Sequence, residues 1–165
     1  MKVIVAIDDS HYSHHVVDAI CRRSWAPDTE FKIVHVLEPL SMSDWSTENG
    51  WKEMQQDIVH RRKNYAEKLC ADARHKIENH VPGSIVHFEI REGNPQAQIV
   101  RAAAEWEASK ILIGAHSRDV CPHNLIGGVS RSVAERSQCT VEIVRAPAAR
   151  HKKQEQEKSS AAAAK

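Results

Sequence analysis

The chain has 165 residues, enough for one domain with a substantial core and too few for two ordinary ones. Its 23 Lys and Arg against 22 Asp and Glu leave a formal charge of +1, so the basic footprint that nucleic acid or an anionic membrane surface requires is missing. The longest apolar run falls well short of a membrane span of roughly 20 residues, so neither nucleic acid nor a membrane is expected as a partner.

Met1 runs straight into Lys2-Val3-Ile4-Val5, a pattern without a cleavable leader, and a cytoplasmic location is expected. Residues 2–7 form a Val/Ile-rich run ending at Asp8-Asp9-Ser10, which predicts a strand buried on both faces. Ser10 is then a suitable N-cap, and Val16, Val17, Ile20 and Cys21 recur at helical spacing, so a helix is expected over about residues 11–24. Ala26-Pro27 ends it.

Phe31 to Leu37 predicts a second doubly buried strand, closed by Glu38-Pro39. A polar connection over 40–50 leads to a long charged stretch in which Met54, Ile58, Tyr65, Leu69, Ala73 and Ile77 keep helical spacing, predicting a helix of about 30 residues. Val81-Pro82-Gly83 breaks that helix. Ser84 to Arg91, with Ile85, His87/Phe88 and Ile90, predicts a third strand, and Glu92-Gly93 a turn. Asn94 is a cap followed by Pro95 at the first helical position, and Ile99, Ala102, Ala103 and Trp106 mark one face of a third helix.

Lys110 to Ile113 predicts a fourth strand, Gly127 to Ser137 a short helix, and Thr140 to Arg145 a fifth strand. This βαβαβαβαβ order predicts an α/β fold: a doubly wound, five-stranded parallel sheet in the order 3-2-1-4-5 with helices on both faces. Its ligands would sit beyond the carboxyl ends of the strands, at the switch point between the first and fourth. The domain is expected to span residues 1–146. Over residues 147–165 the only apolar side chains are alanines and Pro147, so a flexible low-complexity tail is expected, a solvated end rather than an interaction arm.

Asp8 and Gly114 follow the first and fourth strands and should line one crevice. Gly114 would let backbone approach a ligand, while Gly127-Gly128 open a helix whose free N–H groups and positive dipole end suit a phosphate. Alternative chemistries find less support. His116, Cys121 and His123 match no closed zinc spacing, and His11, His14 and His15 read as a solvated turn. Cys21, Cys70, Cys121 and Cys139 form no C-x-x-C pair and are expected to be free thiols, Cys121 included. No nucleophile elbow is present, so no catalysis beyond slow, incidental hydrolysis is expected.

Several of these segments resemble the universal stress proteins in order along the chain. Val3 to Ser10 resembles that family's opening strand and turn, Val34-His35-Val36 its second strand end, and Gly93-Asn94-Pro95 its entrance to the third helix. Ile111-Leu112-Ile113-Gly114-Ala115-His116-Ser117 resembles its fourth strand and loop, and Cys139 to Arg145 its last strand. The resemblance covers residues 2–145 and implies an adenine nucleotide alpha hydrolase-like fold. Nucleotide-binding members carry a glycine, two residues, a second glycine, nine residues, then glycine and a hydroxyl residue. Here Gly114 and Gly127 match, Ser117 replaces the second glycine, Gly128 stands where the hydroxyl is expected, and Ser130 matches a later serine.

What the resemblance implies is a stress-response regulatory protein that binds ATP or AMP, with magnesium accompanying ATP. Asp8 would lie near the base or ribose and the Val36 backbone at the adenine edge. Gly114, Ser117, Gly127, Gly128 and Val129 would surround ribose and phosphates. The lost hydroxyl and a strained Ser117 would together cost roughly 2.5–4 kcal/mol, unless Ser117, Arg118 or Ser130 donates to phosphate instead. Without the resemblance, Asp8 reads as a strand end or helix cap, and Val36 as a core valine. Ser117 and Gly128 favour the alternative, a dimeric scaffold member that no longer binds nucleotide. An enzyme acting on adenine nucleotides would need a base near Gly127 that the sequence does not offer. Family members pair through the last strand, so a homodimer through Thr140 to Arg145 is expected.

Overall fold

A computed structural model describes residues 1–40, 51–115 and 126–145, the side chains of His11 and of residues 51–55 excepted. Ser117, Arg118, His116, Cys121, His123 and the tail therefore lie outside the described residues. The elements are β1 (Lys2–Ile7), α1 (His11–Cys21), β2 (Glu30–Leu37), α2 (Trp51–His80), β3 (Ile85–Glu92), α3 (Pro95–Glu105), β4 (Lys110–Gly114), α4 (Gly128–Arg136) and β5 (Thr140–Val144). All four strand pairings are parallel and the order is β3-β2-β1-β4-β5, as expected from right-handed crossovers in a doubly wound chain.

Strand residues alternate between two cores. Val3, Val5, Ile7, Phe31 and Ile33 face α1 and α2, where they meet Val16, Ile20, Cys70 and Ile77. Ile4, Ala6, Val34, Ile111 and Ile113 face α3 and α4, where they meet Ile99, Ala102, Ala103 and Val133. Burial on both sides explains why β1 and β4 read as continuous apolar runs. At the outer edge, β3 buries only Val86, and Ile85 and Phe88 remain exposed.

Two turns follow directly from their residues. Gly93 takes φ +126°, a region closed to residues with a side chain, and places its N–H on the Leu37 carbonyl at 3.0 Å. Asn94 then caps α3 by accepting from Ala97 N–H at 3.1 Å, ahead of Pro95.

The expected α1 is shortened: it ends at Cys21, where the Arg22 N–H returns to the Asp18 carbonyl. Ser10 occupies the N-cap position, yet its side chain does not cap the helix, because its hydroxyl is turned back to Asp8. The stripe that α2 lays on the sheet also differs from expectation. Ala66, Cys70, Ala73 and Ile77 are buried, whereas Tyr65, one residue round the helix, is 56% exposed. Small residues at 66, 70 and 73 let the helix approach the sheet closely, which Tyr65 would prevent.

That stripe leaves α2 much longer than its support. Thirty residues of helix span about 45 Å, while an eight-residue strand spans about 26 Å. Among its described side chains, core contacts begin at Ala66, so the first half of α2 overhangs the carboxyl edge of the sheet.

Candidate nucleotide-binding cleft

The overhang and the strand ends enclose a cleft of about 1020 Å³. This is at the top of the range of roughly 300–1,000 Å³ usual for small-molecule sites, and it lies at the switch point between β1 and β4. Of the residues singled out from sequence, Asp8, Val36, Gly114, Gly127, Val129 and Ser130 line it together. Gly128 does not line it. A Cβ built there would meet nothing within 4 Å.

On the β1 side, Asp8 organises the turn into α1. Its Oδ1 accepts from Ser10 N–H at 3.1 Å, Ser10 Oγ at 2.5 Å and Ser13 Oγ at 2.7 Å, and its own N–H donates to Ser13 Oγ at 2.7 Å. Thus Asp8 both lines the cleft and fixes the strand-to-helix corner, with one carboxylate oxygen committed to the fold.

On β2, the carbonyl of Leu37 is taken by Gly93 on the β3 side. Successive peptide groups of a strand point to opposite edges, so the Val36 carbonyl points to the β1 side. Pairing with β1 ends one residue earlier, at Ile7 with His35. An acceptor is thereby presented just beyond the end of β1, in the cleft.

On the β4 side, the peptide around Ala115 gathers the ends of the loop that leads to α4. Gly127 N–H donates to the Ala115 carbonyl at 2.7 Å, and Ala115 N–H donates to the Val144 carbonyl at 2.8 Å. Ser130 Oγ donates to the Gly114 carbonyl at 2.6 Å, with a longer contact of 3.3 Å to Ala115 O. The end of β4 and the start of α4 are therefore held at one point. Gly127 has φ −62° and no side-chain cap serves α4, so the first amides of that helix beyond Gly127 have no side-chain acceptor.

The lining residues not anticipated from sequence include His35, Arg61 and Arg62. His35 is buried, its Nδ1 3.1 Å from the Ile7 carbonyl, and burial pushes its pKa below the usual histidine value. The neutral ring therefore donates from Nδ1 and keeps Nε2 as an acceptor. Arg61 and Arg62 reach the cleft from the α2 overhang. The signal was present in the length of α2 against that of the strands, but it became readable only once the buried stripe was known to start at Ala66.

Among the described residues, other chemistry is not assembled near the cleft. Among the described residues no three His, Cys, Asp or Glu side chains gather as metal ligands. Cys21, Cys70 and Cys139 are free, and burial pushes each thiol up, Cys70 to about 12, which removes thiolate reactivity. No described helix is long and apolar enough to cross a membrane.

Known proteins share this organisation. Universal stress protein YxiE of Bacillus subtilis is 26% identical over 149 residues, covering 87% of this chain and 98% of its own. The solved structure of hypothetical protein MJ0577 superposes with a TM-score of 0.75 at 18% identity, covering 90% of this chain and 97% of that one. A universal stress protein in complex with cAMP gives 0.63 at 20% identity (89% and 98% covered). An Arabidopsis thaliana universal stress protein with AMP bound gives 0.52 at 16% identity (90% and 93% covered). The model of the universal stress protein family matches residues 1–145, and the chain belongs to that family.

Proposed function

We propose that this protein is a stress-response regulator whose cleft holds an adenine nucleotide, ATP or AMP, and that it acts by binding rather than by catalysis. The observation that carries this reading is the convergence of Asp8, Val36, Gly114, Gly127, Val129 and Ser130 on one cleft of nucleotide size. The Val36 carbonyl suits the amino group of adenine. The opening amides of α4 suit a phosphate, since helix dipole and free N–H groups act together there. Relatives of the same fold hold cAMP and AMP. Magnesium would accompany ATP, with Asp8, Asp9 and Glu38 the carboxylates among the residues that line the cleft. Residues 116–125, with Ser117 and Arg118, would complete the phosphate side.

β5 pairs only with β4, and its other edge has no strand partner among the described residues. We take this edge as the homodimer interface, read out by sedimentation as a dimer at micromolar concentration.

A second reading, a dimeric scaffold without nucleotide, draws on Gly128, which supplies neither a hydroxyl nor a lining surface. Mass spectrometry of small molecules released from freshly purified protein separates the two. An adenine nucleotide near one per chain supports the binding reading. No nucleotide, together with no binding at millimolar ATP, supports the scaffold.

A further inference from the structure

The two arginines that overhang the cleft differ in what holds them. Arg61 is tied to Asp57 one turn away, at 2.7 Å, and both side chains are largely exposed. Arg62 lies on the more protected side of α2, half-buried, and among the described residues no carboxylate lies within ion-pair distance of it. A half-buried guanidinium without a counter-ion is costly, because five N–H donors lose water and gain no acceptor. Arg62 lines the cleft together with His35, Asp8 and Asp9 of the strand ends, and its charge bears on the His35 ring.

The facing wall has the complementary lack. The N-terminus of α4 supplies N–H groups and a partial positive charge but no described cationic side chain lines the cleft from that element. Helix amides alone hold a phosphate weakly against water, and a planar guanidinium adds a bidentate, charge-assisted pair of hydrogen bonds.

We propose that Arg62 of α2 is the phosphate-binding cation of this cleft, gripping the phosphate of an adenine nucleotide between the α2 overhang and the first turn of α4. The inference rests on the nucleotide reading above and assigns the charge recognition within it. It also gives the long, poorly supported first half of α2 a purpose: a helix that ended level with the strands would not reach the ligand.

The test is calorimetric titration of nucleotide-free full-length protein with adenosine, AMP and ATP–Mg, repeated for Arg62→Gln and Arg62→Lys. Arg62→Gln is expected to weaken AMP and ATP by about tenfold or more, equivalent to about 1.4 kcal/mol, and to leave adenosine within about twofold. Arg62→Lys should recover part of the loss, since charge returns without the fork. Melting temperatures of the ligand-free variants should not fall below that of the parent, because among the described residues Arg62 makes no ion pair whose loss would destabilise the fold. Unchanged AMP affinity in Arg62→Gln, or equal weakening of AMP and adenosine, overturns this inference while leaving nucleotide binding intact. A parent protein that binds none of the three overturns the nucleotide reading itself, and this inference with it.

Discussion

The hydroxyl of Ser130, in the first turn of α4, donates to the carbonyl of Gly114, the last residue of β4, at 2.6 Å. With the Gly127 to Ala115 bond it ties the first turn of α4 to the end of β4. Ser130→Ala leaves the half-buried Gly114 carbonyl short of a donor and should cost about 1 kcal/mol in urea unfolding. Nucleotide affinity should fall with it, because the α4 amides lose their fixed position. A variant as stable as the parent would remove the clamp from the account.

Gly128 offers the opposite experiment. Open space surrounds the position of its missing Cβ, and Gly128→Ser should be accommodated without strain. Replacing glycine within a helix contributes a few tenths of a kcal/mol or more, and the new hydroxyl can reach a phosphate held at the helix start. Isothermal titration should show ATP bound about tenfold more tightly. Unchanged affinity would mean that the phosphate does not lie at this turn.

Asp8 carries two roles that substitution can separate. Asp8→Ala removes the acceptor of three hydrogen bonds at the start of α1 and should destabilise the protein by about 1–2 kcal/mol. Asp8→Asn keeps an acceptor at Oδ1 and should cost less than half as much, while altering nucleotide affinity through loss of charge. Equal destabilisation by both would show that charge, not geometry, holds the corner.

His35 sets a pH dependence. Burial lowers its folded-state pKa, so the unfolded chain takes up a proton more readily than the native one. Its contribution is complete above the unfolded value of about 6.5 and is lost as pH falls through that value toward the lower folded one. Stability should therefore decline as pH falls below about 6.5, at no more than about 1.4 kcal/mol per pH unit from this group. His35→Asn, able to donate to Ile7 O but not to titrate, should flatten that part of the curve. Asp18, whose carboxyl the Lys76 hydrogen bond holds below its ordinary value, acts only at more acidic pH.

Local chemistry made much of the fold readable in advance. Asn94 and Pro95 announce a helix start by their own side chains, and the apolar runs of β1 and β4 announce burial on both faces. Strand order then follows from crossover handedness. The stripe of α2 was ambiguous because two ridges share one period: Tyr65 and Leu69 lie beside Ala66 and Cys70, and only close packing on the sheet chooses the smaller set. The same geometry carries Arg62 and His35 into the cleft, which no spacing in the chain records. Asp8 and Ser130, both marked in the sequence, line the cleft, but the direction of their hydrogen bonds was not legible, and both hold its walls together.

The central claim is that an adenine nucleotide occupies the cleft at the switch point, with its phosphate on α4 and its base beside Val36. Backbone ¹H–¹⁵N spectra recorded while ATP or AMP is added test it most directly. The account predicts saturable shifts concentrated at Gly114, Gly127, Gly128, Val129 and Ser130, with a second group at Val36 and Leu37. Spectra unchanged at millimolar nucleotide, or shifts confined to residues away from the cleft, would contradict it.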